Sequence, residues 1–164
     1  MKQSVLATVI CFLLYGCAAA PVAPPAVSSE KKPIIAVWDL EDLSPLGIAQ
    51  MDLGYLLSAR IMETIQQAGG TVVEREKLEI ALRELNLGSS SLADASTQLR
   101  IGRIAGAGLM IFGAYQVVAD QMRLDLRIVD VETGRIIKTA EKTAGGGDLS
   151  GWLKAAEAAA KELI

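Results

Sequence analysis

The chain contains no histidine. That absence removes Ser-His-Asp triads, Cys-His dyads and every histidine-ligated zinc or iron site. Cysteine is almost as scarce: Cys11 and Cys17 are the only two, so everything after residue 17 has no disulfide to make. Aromatics are limited to two Trp, three Tyr and two Phe, of which Phe12 and Tyr15 fall in the same N-terminal stretch. What remains is thin for a base-stacking platform. Neither charge is in strong excess, with 16 Lys and Arg against 19 Asp and Glu and a pI near 5.0, which argues against a phosphate-binding surface. Yet 51% of the residues are hydrophobic and the mean hydropathy is +0.35. In a chain of 164 residues, room for one domain, the question is where that apolar content sits.

Part of it sits at the N-terminus. Met1-Lys2-Gln3 is a short positive start, followed by a mostly apolar run from Val5 to Leu14. Such a run is too short to span a bilayer, which takes about 20 residues, and reads instead as an export signal. It ends in Leu14-Tyr15-Gly16-Cys17, which resembles the bacterial lipobox, with Leu at −3, a small residue at −1 and a cysteine to carry the lipid. Cys11 does not compete, because bulky Ile10 precedes it. The resemblance implies residues 1–16 as a lipoprotein signal peptide and Cys17 as the lipidation site, bearing diacylglycerol and palmitate. Ala18 is not the aspartate that holds lipoproteins at the inner membrane. In a diderm bacterium this implies the periplasmic face of the outer membrane.

Residues 17–33 hold four of the five prolines, Pro21, Pro24, Pro25 and Pro33, among Ala and Ser. This composition forms a semi-extended tether rather than a packed element. Fifteen or so residues at roughly 3.1 Å each reach about 45–50 Å.

Residues 34–164 carry the pattern of an α/β domain. Ile34-Ile35-Ala36-Val37-Trp38 is a continuous apolar run, as in a strand buried on both faces. A loop follows, and a helix over about 49–68 buries Leu53, Leu56, Leu57, Ile61 and Ile65 before Gly69-Gly70 stops it. Thr71-Val72-Val73 reads as a second short strand, and Leu78, Ala81, Leu82 and Leu85 as one face of a second helix. Asp94 or Ser96 caps a third helix to about Ala105. Strands follow over about 109–118, 122–130 and 135–140, the middle one alternating apolar and charged side chains as a strand with one wet face does. A final helix places Leu149, Trp152, Leu153, Ala156, Ala160 and Leu163 on one side. The expected architecture is a three-layer α/β domain with a mixed sheet of about five strands flanked by helices. Its early strands pair parallel and its C-terminal strands antiparallel.

Chemistry finds few footholds. Gly102, Gly106, Gly108 and Gly113 end a helix and run into a strand, whereas a phosphate loop follows a strand and opens a helix. Their expected role is helix termination and close packing. Asp39, Glu41 and Asp42 cluster just past the first strand, where open α/β sheets place ligands. They are an interaction-loop candidate, set against a plain solvated acidic loop; calcium-loop spacing is missing. Glu74-Arg75 is placed to lie beside that loop and form an ion pair that fixes the start of the second helix. No catalytic residue, metal ligand or cofactor is expected.

Several strings in order, Ile35-Ala36-Val37-Trp38-Asp39-Leu40-Glu41-Asp42, Val72-Val73-Glu74-Arg75-Glu76, Gly102 through Gly113 and Val129-Asp130-Val131-Glu132-Thr133-Gly134, resemble the periplasmic domain of the CsgG family. FlgO-like and TolB N-terminal-like domains share the pattern. The resemblance implies a lipid-anchored, non-enzymatic periplasmic protein that works through protein–protein interaction in secretion or surface-appendage assembly, curli-like or flagellar. Two roles stay open beside it: regulator of a periplasmic cell-wall enzyme, and oligomeric subunit of a secretion complex. Partners are then envelope proteins and the membrane through Cys17, not nucleic acid, with a homo-oligomer compatible. A pore-forming member needs transmembrane hairpins, roughly 40 added residues at about 9–11 per strand, and the connections at 119–121 and 132–134 leave no room for them.

Overall fold

The computed structural model describes residues 32–45, 52–85 and 94–164. The signal, Cys17 and nearly all of the expected tether lie outside these residues. Within them the order is β1 (Ile35–Val37), β2 (Glu41–Asp42), α1 (Leu53–Gln67), α2 (Arg75–Glu84), α3 (Ala95–Ile104), β3 (Leu109–Val118), β4 (Gln121–Asp130), β5 (Ile136–Ala144) and α4 (Leu149–Leu163).

One five-stranded mixed sheet organises the domain. β3 is its hub: β1 and β2 both pair parallel along one of its edges, and β4 pairs antiparallel along the other. β5 then pairs antiparallel with β4 and forms the outer strand. Ala119-Asp120 alone joins β3 to β4, and residues 131–135 join β4 to β5. The early-parallel, late-antiparallel arrangement expected from the pattern is the one observed.

Two details differ from the sequence reading. The acidic stretch read as loop contains β2, because Glu41 and Asp42 pair with Ala114 and Tyr115. The expected second strand at 71–73 is only a single parallel bridge, Val72 to Ile35. Three residues with Gly69-Gly70 behind them and a helix starting at Arg75 give a ladder no length to grow. The expected start of the first helix near residue 49 falls outside the described residues.

Each sheet face has its own core. On one, α1 and α4 cover Val37, Ile111, Tyr115, Leu124, Leu126 and Ile128. α1 presents Leu53, Leu57, Ile61 and Ile65 at helical spacing, and the last three are 0% exposed. Full burial of each contributes roughly 1.5–3 kcal/mol. Asp52 caps this helix by accepting a hydrogen bond from Tyr55 N at 3.1 Å. Ser58 and Thr64 are buried on it, and each hydroxyl donates to the carbonyl four residues back, Gly54 and Arg60. α4 docks on its own sheet through Ala155, Ala156, Ala159, Ala160 and Leu163, while Leu149, Trp152 and Leu153 are only partly buried. Small alanines let α4 lie close to α1.

On the other face, α2 and α3 bury Ala36, Trp38, Val73, Met110, Phe112 and Val129 through Leu78, Ala81 and Ile101. Asp94, not Ser96, caps α3 by accepting from Thr97 N at 2.8 Å. Gly102 sits where a Cβ would lie 2.1 Å from Met110 Sδ, so the helix touches β3 through bare backbone. Gly106, at φ +82, then turns the chain out of α3.

Candidate interaction site

α2 and α3 cover only part of their sheet face. Beyond them, toward β4 and β5, no described helix lies on the sheet, and two rows of ladder residues line an open groove at whose edge Phe112 is itself buried. The register fixes what is presented: Phe112, Arg127 and Thr139 form one row, and Ala114, Asp125 and Glu141 the next. The result is an open groove of ≈ 740 Å³, walled by Trp38, Asp39 and Glu41 on one side and Gln98 of α3 and Ile136 on others. Short Ala114 keeps the floor low. This is the wet face of β4 that the alternation of Arg123, Asp125 and Arg127 with apolar residues announces.

The charges of this floor are already organised. Arg123 donates from Nε and Nη2 to the two Asp125 oxygens at 2.8 and 2.9 Å, and from Nη2 to Glu141 Oε2 at 2.9 Å. The hydrogen bond to Asp125, then the charges of Asp125 and Glu141, hold this guanidinium protonated above its ordinary range. Arg127 lines the groove and lies over the Phe112 ring, 5.7 Å from its centroid. Phe112 in turn stands tilted against Trp38 with centroids 6.4 Å apart.

The three acids expected to act together are separated by the pleat of β2. Asp39 and Glu41 reach the groove wall. Asp42, next in the strand, turns to the opposite face beside Tyr115. Asp39 is engaged: Arg75 Nη1 and Nη2 donate to its two oxygens at 2.6 and 2.7 Å. Arg75 also donates from Nε to Glu79 at 3.3 Å and lies 4.7 Å over the Tyr55 ring. The expected ion pair beside the loop is therefore present, made by Arg75. Asp42 accepts from Ser44 N at 2.8 Å and is bonded to the Tyr115 hydroxyl. Burial pushes its pKa up, but the hydrogen bonds from Ser44 and Tyr115 outweigh this and leave it lowered. Tyr115 is pushed up to about 12, by burial first and then by its bond to Asp42 and that residue's charge. Glu41 is exposed and carries no ion pair among the described residues. Among those residues no three His, Cys, Asp or Glu side chains are placed to hold a metal ion.

Sequence reasoning thus found one wall of the groove, Asp39 and Glu41, and missed the floor and the far wall: Phe112, Arg127, Thr139, Ile136 and Gln98. The alternation in β4 carried that signal, but which strands flank β4, and which half of the face a helix leaves bare, is decided by pairing.

One sheet face is packed by α1 and α4, and the other, covered only in part by α2 and α3, leaves its open half as the candidate binding surface. The chain belongs to the CsgG family: the family described as "Curli production assembly/transport component CsgG" matches residues 25–119, more than half of the sequence. Among solved structures, the LpoB C-terminal domain from Salmonella enterica is similar at 18% identity and a TM-score of 0.60, covering 70% of this chain and 83% of that one. The lipoprotein GNA1162 from Neisseria meningitidis is similar at 14% identity and a TM-score of 0.58, over 71% and 82%. A PelC dodecamer from Paraburkholderia phytofirmans is similar at 14% and 0.58, over 80% and 88%. At these identities the likeness is one of fold. No curated protein matches the sequence. Among the described residues no helix is long and apolar enough to cross a membrane.

Proposed function

We propose that this protein is a lipid-anchored, non-enzymatic envelope protein that docks another envelope protein in the half-open face of its sheet, in outer-membrane secretion or surface-appendage assembly. The carrying observation is the groove over Phe112, Ala114, Arg127 and Thr139, whose floor is formed by β3, β4 and β5 and whose top no described element closes. Membership in a family described by curli production, assembly and transport supports the secretion setting. The lipobox-like Cys17 and the proline tether support anchoring at the periplasmic face of the outer membrane. The solved PelC relative is a dodecamer, which supports self-association as one form the interaction takes.

Two measurements test this reading. A photo-crosslinking residue at Thr139 in intact cells is expected to trap an envelope protein or a second copy of this chain, while the same residue at exposed Ala158 on α4 traps neither. Equal yields at both positions overturn the groove. Cys17→Ser is expected to move the protein from the membrane to the soluble periplasmic fraction, and unchanged membrane association overturns the anchor.

A further inference from the structure

One end of the domain collects the elements nearest to where the tether joins. β1 and β3 begin there and β4 ends there, with Ile35 opposite Leu109 and Leu109 opposite Asp130. Gly108 N and Leu109 N both donate to Ile34 O, Val131 N to Gly108 O, and Ile35 N to Thr71 O. Residues 32–34, 68–71, 104–108 and 131–137 therefore share one pole, and the chain comes into it at Lys32.

That pole is apolar and carries basic groups. Ile104, Ile136 and Ile137 are 46%, 57% and 57% exposed, high values for isoleucine. A bulge opposite Ile128 and Val129 skips Ile137 in the pairing of β5. Lys32, Arg103 and Arg135 are exposed at the same end. Within 130–137 the acids are Asp130, which accepts from Thr133 N and Oγ at 2.7 Å each, and exposed Glu132. The far end has the opposite sign. Asp42 lies there opposite Tyr115, Asp52 and Asp148 cap α1 and α4, and Asp120 stands in the β3–β4 turn. Arg123, the cation nearest that end on β4, is held between Asp125 and Glu141.

We infer that the tether pole is a bilayer-docking face: Ile104 and Ile137 enter the interfacial zone of an anionic phospholipid surface, Lys32, Arg103 and Arg135 face its phosphates, and the aspartate-rich end points away. An anionic leaflet attracts each nearby Lys or Arg and repels the acids, so the charge asymmetry sets the orientation. Apolar side chains at the headgroup boundary add area-dependent attraction. This inference rests on the reading of Cys17 as the anchor. Fourteen residues between Cys17 and Lys32 hold the domain within roughly 50 Å of the surface, and at that effective concentration a contact too weak for a free protein is populated.

The full chain, reconstituted in phosphatidylethanolamine–phosphatidylglycerol vesicles and separately in phosphatidylcholine vesicles, tests it by amide hydrogen exchange. Exchange across 131–137 is expected to slow roughly threefold or more on the anionic vesicles relative to the neutral ones. In about 1 M salt, where the screening length is near 3 Å, that difference disappears. The double variant Arg135→Glu, Ile137→Asp is expected to lose the slowing while it still floats with the vesicles. Equal exchange on both vesicle types overturns the docking face. Flotation and the mass of the Cys17 peptide report the anchor separately. If the chain does not float, the anchor reading falls alone, and the same exchange comparison is made on a Cys11→Ser chain coupled through the Cys17 thiol to a maleimide lipid.

Discussion

Arg75 and Asp39, 36 positions apart, meet through two parallel hydrogen bonds of 2.6 and 2.7 Å. This fork ties the first turn of α2 to the corner between β1 and β2, so the groove wall carrying Asp39 is fixed to a helix. Tyr55 on α1 supports the guanidinium from its ring face.

The pair is about one-third exposed on each side, at 34% and 38% of side-chain surface, so solvent screening limits its strength. Asp39→Ala and Asp39→Asn are each expected to cost about 0.5–1 kcal/mol in urea denaturation, near the upper end for exposed pairs because of the bidentate geometry. The two substitutions should agree, because both remove the carboxylate. Faster hydrogen exchange at the start of α2 than in α1 is expected in both. An unaffected α2 would show that the helix is held by Leu78 and Ala81 alone.

The pH response follows from the absence of histidine and from the direction of the shifted groups. No imidazole titrates between about pH 5 and 8, so stability is expected to be nearly flat there. Asp42 is lowered in the fold, so its contribution is fully present above the ordinary carboxylate range and is lost as pH falls below 3.8. Tyr115 is raised to about 12, so its neutral form is favoured by the fold. Its contribution is present below the ordinary value of 10.0 and is lost as pH rises from there toward about 12. Thermal denaturation across pH 2.5–12 checks both limits. Asp42→Asn is expected to soften the acid loss and to lower the upper end of the alkaline window.

How much of this was readable in the residues depends on the range of the signal. β4 showed itself through Met122, Leu124, Leu126 and Ile128, because alternation is local. α1 did so through Leu53, Leu57, Ile61 and Ile65 for the same reason. β2 was hidden, since Glu41-Asp42 has the composition of a loop and becomes a strand only because β3 runs ten residues beside it. The groove was half hidden in the same way: Asp39 and Glu41 are close in sequence, whereas Phe112, Arg127 and Thr139 become neighbours only through the register of three strands. Gly102 was readable as a packing residue, but not that its partner is Met110.

That partnership gives a sharp stability test. Met110 is 0% exposed, and a Cβ on Gly102 would stand 2.1 Å from its Sδ and 2.9 Å from its Cγ. Gly102→Ala therefore forces a fully buried side chain to move, and about 1–3 kcal/mol of destabilisation is expected. Better helix propensity at this site returns less than 1 kcal/mol, too little to reverse the sign. Adding Met110→Leu should change the cost of Gly102→Ala, because the two residues touch. Additive effects in denaturant unfolding would mean that helix and strand separate here without repacking.

The groove itself is tested by filling it. Ala114 lies on the floor between Glu41 and Asp125, with its side chain on the open face, so Ala114→Trp builds into free volume rather than into packed core. Stability is expected to change by no more than about 0.5 kcal/mol, as at other sites away from packed contacts. Arg127→Ala instead leaves the volume and removes a cation from Phe112, at about 0.5–1 kcal/mol for an exposed contact. If a partner sits on this floor, Ala114→Trp abolishes the Thr139 crosslink and Arg127→Ala weakens it, while Ile164→Asp at the C-cap of α4, on the other face of the sheet, leaves it intact. Retention of the crosslink in folded Ala114→Trp protein would place the partner on some other surface, because a tryptophan on the floor occupies the volume that a docked segment requires.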